Sequence, residues 1–306
     1  MDEFTCKQLL VGCSLDGRSD DALRAATEVA ALHQSRLEVT HAVDIPRPEW
    51  VAGDPVEVAS INAEIMEYAW KTLESTIGKV TEEYSYDAPP IEELLTVTAG
   101  SPAQVLLNRA RSMKADVIFL GSHKDTGLFD FGGTVRAVLA HAPNGIWVQP
   151  APYRGIRRIL VPIDLSVLSL TALDAARSLA KSLGASLTVM HAFEPPEFAY
   201  APEGGSYGVG APTYVIDESR EGARASFIEA LDQLDWTDRP HERLFVEGRV
   251  TGEILRASDS HDLIVMGTHG RTGLSAFVLG NVAYGVLKLS ETAVLALRST
   301  DAGARN

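Results

Sequence analysis

The chain of 306 residues is short of cysteine, of basic charge and of long apolar runs, and each shortage excludes something. Cys6 and Cys13 are its only cysteines. Two are too few for a disulfide scaffold, and no CxxC spacing is present, so a reducing, cytoplasmic setting is expected. Lys and Arg number 27 against 41 Asp and Glu, for a formal net charge of −14. That balance argues against non-specific binding to nucleic acid or to anionic membranes, which need a basic face. No apolar run reaches the roughly 18 residues of a membrane span. The opening MDEFTCKQLL is acidic and lacks a long apolar core, so no signal peptide is expected there. There is no GxxxxGK[ST] phosphate loop, and no GxGxxG follows a first strand. The eight histidines are scattered, and no carboxylate pair is placed for acid–base work, so neither a metal site nor a catalytic residue is assigned.

What the chain does have is itself, twice. KQLLVGCSLDGRSDDALRAATEVAALHQSRLEVTHAVD from Lys7 aligns with RRILVPIDLSVLSLTALDAARSLAKSLGASLTVMHAFE from Arg157 at an offset of 150. Val11 then meets Val161, His41 meets His191 and Ala42 meets Ala192. Farther on, ADVIFLGSHKDTGL (115–128) matches HDLIVMGTHGRTGL (261–274). A unit of about 150 residues is duplicated, giving domains at 1–150 and 151–306. QPAPYRGI (149–156) suits a short linker between them.

Each unit alternates strand and helix patterns. In the second, RILVPID, ASLTVMHAF, ERLFVEG, DLIVMG and AVLALR read as strands. Helices are expected at about 170–183, 214–234, 251–259 and 279–290. In the first unit LLVGCS, RLEVTHAV, EELLTVTA, DVIFLG and GIWVQ are the equivalents. Apolar strands alternating with helices imply parallel strands and helical crossovers, hence two tandem doubly wound α/β domains.

Ligands of such sheets bind beyond the carboxyl ends of the strands. The stretch MGTHGRTGLSAFVLGNV (266–282) follows the fourth strand of unit two and carries Gly267, Gly270, Gly273 and Gly280. Glycines there either punctuate a plain surface loop or turn backbone N–H groups inward around an anion. Gly280 and Asn281 sit near a helix start, whose positive end favours phosphate, and Arg271 adds a charge.

Taken together, these residues resemble the universal stress proteins, whose nucleotide-binding members carry G-x2-G-x9-G-[S/T]. Here the pattern is Gly267-x2-Gly270-x9-Gly280-Asn281, with Asn in place of Ser or Thr. ILVPID ending at Asp164, and His191–Ala192 at the end of the second strand, are similar to the family too. The resemblance covers nearly the whole chain, twice. It implies a Rossmann-like, five-stranded sheet per domain, with fifth strands pairing across a pseudo-two-fold between the halves; a homodimer is compatible with it. It implies an adenine nucleotide, ATP or ADP/AMP, with Mg2+ as a companion ion, and an unnamed protein partner. Pro162 and Ile163 would shape the adenine wall, Asp164 would accept from ribose or adenine, and Ala192 would meet adenine through its backbone. Gly267, Thr268, His269, Gly270 and Arg271, with Gly280, Asn281 and Val282, would surround the phosphates. Asp164 also lies just before a helix, so an N-cap role fits it equally. His191 reads as a core or interface histidine.

Unit one departs further. Its loop runs Gly121-x2-Lys124-x8-Gly133-Thr134, so a lysine replaces the second glycine and the loop is shorter. Ser14 stands at the Asp164 position and Gly12 at the Pro162 position; Asp16 could serve only with a two-residue shift. Unit two is therefore expected to hold the nucleotide, with unit one degenerate. The segments 194–214 and 45–57, the latter with Trp50, read as loops over the sites or partner surfaces. The functional reading is a stress-response nucleotide binder with little turnover; the alternatives are a nucleotide-free scaffold and, below it, a slow ATP hydrolase.

Overall fold

The computed structural model describes residues 6–45, 55–121, 132–150, 152–195, 213–236, 241–268 and 279–298. The first half runs β1 (Gln8–Gly12), α1 (Asp20–His33), β2 (Arg36–Val43), α2 (Pro55–Glu83), the one-turn α3 (Ile91–Leu94), β3 (Leu95–Ala99), α4 (Pro102–Met113), β4 (Val117–Gly121), α5 (Gly133–His141) and β5 (Gly145–Gln149). The second runs β6 (Arg158–Pro162), α6 (Val167–Leu183), β7 (Ser186–Phe193), α7 (Thr213–Asp232), β8 (His241–Glu247), α8 (Val250–Ser258), β9 (Leu263–Gly267), α9 (Asn281–Leu289) and β10 (Ala293–Leu297). Every strand read from the sequence is present, and each helix expected in unit two lies within a few residues of its range; α3 carried no periodic signal.

The duplication is visible residue by residue in the packing. α1 buries Ala22, Leu23, Ala25, Ala26, Val29 and Ala30. α6 buries Ala172, Leu173, Ala175, Ala176, Leu179 and Ala180, the same positions 150 later. Small alanines on the inner face bring both helices close to the strands. Each helix ends in a left-handed residue whose N–H caps the last turn: Gln34 (φ 52°) onto Ala30, and Gly184 (φ 66°) onto Ala180. The Gly184 conformation is one that a side chain disfavours and glycine does not.

All ten strands join one sheet in the order β3-β2-β1-β4-β5-β10-β9-β6-β7-β8. Every pairing is parallel except the central one, where β5 and β10 run antiparallel with Trp147 opposite Leu295. The fifth strands thus pair between the halves. Two apolar cores, one per face, both cross that junction. One packs Leu9, Val11, Trp147, Ile159, Val161 and Leu295 under α1, α2, α6 and α7. The other packs Leu10, Ile118, Leu160, Ile264 and Val294 under α4, α5, α8 and α9. Trp147 stacks on Phe119 with ring centroids 5.0 Å apart.

The stretch read as a linker is part of this core. Tyr153 and Ile156 are buried, and the Tyr153 hydroxyl donates to the Glu28 carboxylate of α1. Burial, reinforced by Glu28, drives the Tyr153 phenol far above its ordinary range. Two further bonds tie the halves: Ser182 Oγ lies 2.7 Å from His33 Nε2, and Arg298 donates to the Leu139 carbonyl.

Candidate functional site

In a doubly wound sheet the strand order reverses at one point, and a crevice opens there at the carboxyl ends. Here the reversal lies between β1 and β4 in the first half and between β6 and β9 in the second. Pro162 ends β6, Ile163 and Asp164 follow it, Ala192 lies near the end of β7, and Gly267 ends β9 with Thr268 next. Gly280 caps α9, and Asn281 and Val282 open it. All of these therefore gather at one edge of the sheet. His269, Gly270 and Arg271, with Lys124 of the first half, lie outside the described residues. So do most of the segments 45–57 and 194–214.

The sheet separates one of these side chains from two others. Ile163 is buried in the core under α6 and α7, whereas Ala192 and Val282 pack against the core under α8 and α9. Ile163 therefore reaches the edge through its backbone: its N–H donates to the Met190 carbonyl at 2.8 Å, and its own carbonyl accepts from His191.

Asp164 is not the helix N-cap. Ser166 is, its hydroxyl oxygen accepting from Ser169 N at 3.3 Å. Asp164 holds Ser166 instead. Asp164 Oδ1 accepts from the Ser166 N–H at 3.0 Å and from its hydroxyl at 2.6 Å. Leu165 between them takes φ 65°, a left-handed turn that folds the chain back on the carboxylate. In the first half the same pair is present with its members exchanged. Ser14 stands at the Asp164 position and donates to Asp16 Oδ1 at 2.5 Å, while Ser19 Oγ accepts from Ser14 N at 2.7 Å. The first-half carboxylate thus stands two residues farther along the chain than Asp164 does in the second. The serines at 166 and 169 were the residues missed by sequence reading. A serine directly before the apolar periodicity of α6 was the available signal.

The histidines after the second strands are equivalent as well. His41 Nδ1 lies 2.8 Å from the Cys13 carbonyl, and His191 Nδ1 lies 2.8 Å from the Ile163 carbonyl. A carbonyl only accepts, so Nδ1 carries the proton in each. His191 is buried and stacked on Phe227 and Phe245, both at 5.7 Å, which makes it a core histidine.

The glycines divide into two kinds. A Cβ at Gly267 would stand 2.8 Å from Leu168 Cγ, and one at Gly121 only 2.5 Å from the Arg18 carbonyl oxygen. The first lets the opening turn of α6, and the second the Arg18–Ser19 stretch leading into α1, press on the end of a strand, whatever binds outside. Gly280 is different. It is the N-cap of α9 and has no side chain to cap it, and its N–H is held by the Thr268 carbonyl at 2.8 Å. The start of α9 thus lacks the usual Ser or Asp acceptor, which leaves its N-terminal end suited to an outside anion. In the first half the N-cap is Gly132 rather than Gly133. The burial pattern agrees, with Val135, Val138 and Leu139 answering Ala283, Val286 and Leu287. The first-half loop is therefore two residues shorter than its counterpart, not one.

The first-half crevice holds a cavity of about 160 Å³. Ser14, Ser19, Thr40 and His41 form its polar wall, and Leu106, Leu120 and Val135 its apolar wall. Cys13 also lines it, but burial pushes that thiol up to about 12, with the Asp20 charge adding to the rise against a lowering hydrogen bond from Ser19. It is a protonated, unreactive sulfur at neutral pH. Among the described residues no group of three His, Cys, Asp or Glu is placed to hold a metal ion, and no helix is long and apolar enough to cross a membrane.

The family profile described as Universal stress protein family matches residues 5–150 and again 155–298. The chain belongs to the universal stress protein family. A universal stress protein of Mycolicibacterium smegmatis is 26% identical over 304 residues, spanning 95% of this chain and 96% of that one. YxiE of Bacillus subtilis, also a universal stress protein, is 31% identical over 147 residues, covering 46% of this chain and 98% of its own. The crystal structure of a putative universal stress protein from Pseudomonas aeruginosa superposes with TM-score 0.64 at 20% identity, covering 97% of this chain and 95% of that one. Two family repeats in one chain, and a relative matched end to end, make this a tandem universal stress protein and place it among stress-response proteins.

Proposed function

We propose that this universal stress protein binds an adenine nucleotide, ATP or its ADP and AMP relatives with Mg2+, in the second-half crevice, and uses it as a regulatory signal with little or no turnover. One observation carries the reading. The Gly267–Asn281 pattern begins at the end of β9, directly across the switch point from Asp164 at the end of β6. A carboxylate held in place by Ser166 suits a ribose or base donor, and an α9 start without a side-chain cap suits phosphate. Asn281 keeps a side-chain donor where the family has a hydroxyl. The proposed domains are the two repeats, the first degenerate for nucleotide.

A nucleotide-free scaffold is the second reading, favoured by the packing role of Gly267: the first glycine of the pattern is needed by the fold alone. Calorimetric titration of nucleotide-stripped protein with ATP and magnesium decides between them. One site per chain, weakened about tenfold or more by Gly270→Ala through loss of close backbone approach, supports the nucleotide reading. No binding, and no nucleotide in a denaturing extract, supports the scaffold.

A further inference from the structure

We propose that the N-terminal half of α2 is a docking surface for a basic amphipathic helix of a partner protein. α2 is 29 residues long, and α7, its counterpart, 20. At about 1.5 Å per residue α2 measures about 43 Å, against about 17 Å for the five-residue β3 that follows it. Only its C-terminal half is used to cover the sheet. Ala69, Leu73, Ile77 and Val80 are buried there, on one face. From 58 to 68 no side chain of the helix is buried. That stretch is nevertheless not polar. Ile61, Ile65 and Tyr68 are 55%, 40% and 66% exposed. Spaced i, i+4 and i+7, they form a stripe along one side of the helix, about a quarter turn from the buried face. α2 thus has a second apolar surface, turned to solvent, that a partner can bury.

Charge selects the occupant. Between Arg47 and Lys71 the sequence carries Glu49, Asp54, Glu57, Glu64 and Glu67, and no Lys or Arg. Glu64 and Glu67 are exposed beside the stripe, and Lys71, the first base of α2, is paired with Glu67 at 2.6 Å. A second copy of the chain would bring the same acids and another −14 against this face, so self-association is opposed. A helix with Lys or Arg bordering its own apolar stripe would instead cover Ile61, Ile65 and Tyr68 and meet Glu64 and Glu67. Tyr68, the largest and most exposed of the three, is the natural anchor. α7 does not repeat the arrangement. Its exposed Tyr214 and Val215 are adjacent in sequence and so leave the helix in different directions, and Arg220 and Arg224 mix the charge. The docking surface belongs to the first half, and it stands independently of nucleotide binding in the second.

Fluorescence anisotropy of the full chain with a labelled Leu–Lys amphipathic helix of about 18 residues, five turns, tests it. Saturable binding is expected below about 100 μM, weakening at least about tenfold between about 0.05 M and about 0.5 M salt. Ile65→Ser combined with Tyr68→Ser keeps the net charge and should weaken binding at least about tenfold. Glu64→Lys leaves the stripe intact and should weaken binding severalfold. Tyr214→Ser combined with Val215→Ser in α7 should have no effect. All five side chains are on the surface, so the variants should melt with the wild type. The proposal is overturned if the peptide does not bind below about 1 mM. It is equally overturned if binding survives the Ile65→Ser, Tyr68→Ser change, which would make it a general attraction to an acidic protein. A dimer in sedimentation that the same change converts to monomer would also overturn it, since the occupant would then be a second copy.

Discussion

The Ser166 hydroxyl donates to Asp164 Oδ1 at 2.6 Å, so the carboxylate at the end of β6 is held by the residue that caps α6. The two roles can be separated. Ser166→Ala removes an N-cap and should cost about 1 kcal/mol in urea unfolding, and should weaken ATP binding because Asp164 loses the hydroxyl donor and keeps only the backbone N–H of residue 166. Asp164→Asn keeps an acceptor oxygen for Ser166 and should weaken ATP binding with a much smaller loss of stability. Equal loss of stability in both, without an effect on binding, would make the pair purely structural.

Gly267→Ala and Gly121→Ala should destabilise the fold even without ligand. The added methyl at Gly267 meets a leucine side chain, which can turn aside; at Gly121 it meets the Arg18 backbone. A cost of about 1 kcal/mol is expected for the first and about 3 kcal/mol for the second. Thermal melts of the ligand-free variants give the order; the reverse order would refute it.

His33 lies between α1 and α6, and burial lowers its pKa below 6.5. Above the unfolded value both states are neutral and stability is complete. As pH falls through about 6.5 toward the lower folded value, the unfolded chain takes up the proton first and stability declines. His33→Gln should flatten that decline between pH 7.5 and 5.5 in urea titrations. An unchanged slope would mean that other groups carry it.

Glu38 in β2 is fully buried, and both its oxygens accept from the Arg109 guanidinium of α4. Thr96 adds a bond at 3.3 Å. Arg109→Ala strands a buried carboxylate and should cost about 3 kcal/mol. In the second half, Thr188 occupies the Glu38 position and pairs with His261 Nε2 at 3.0 Å. Thr188→Val, which removes one neutral hydrogen bond, should cost about 1 kcal/mol. Chemical denaturation of both variants measures the difference, and equal losses would contradict it.

Duplication, element order and fold class were readable from the amino acids alone, because each rests on local periodicity. Runs such as QLLVG and RILVP are buried on both faces and declare parallel strands; the alanine faces of α1 and α6 recur 150 residues apart. The edge carrying Pro162, Asp164, Ala192, Gly267 and Gly280 followed from topology, since strand ends and glycines mark it in one dimension. Partners were not readable. That Ser and Asp, exchanged between 14/16 and 164/166, bond to each other in both halves became visible only in the folded chain. That the Ile163 side chain lies in the core under α6 and α7, leaving its backbone at the edge, was likewise not readable. The linker read from proline and glycine is anchored by Tyr153 and Ile156, which are buried although its Pro152 and Arg154 are exposed. Sequence periodicity sets what each segment becomes; which atoms then meet is decided by the docking of segments far apart in the chain.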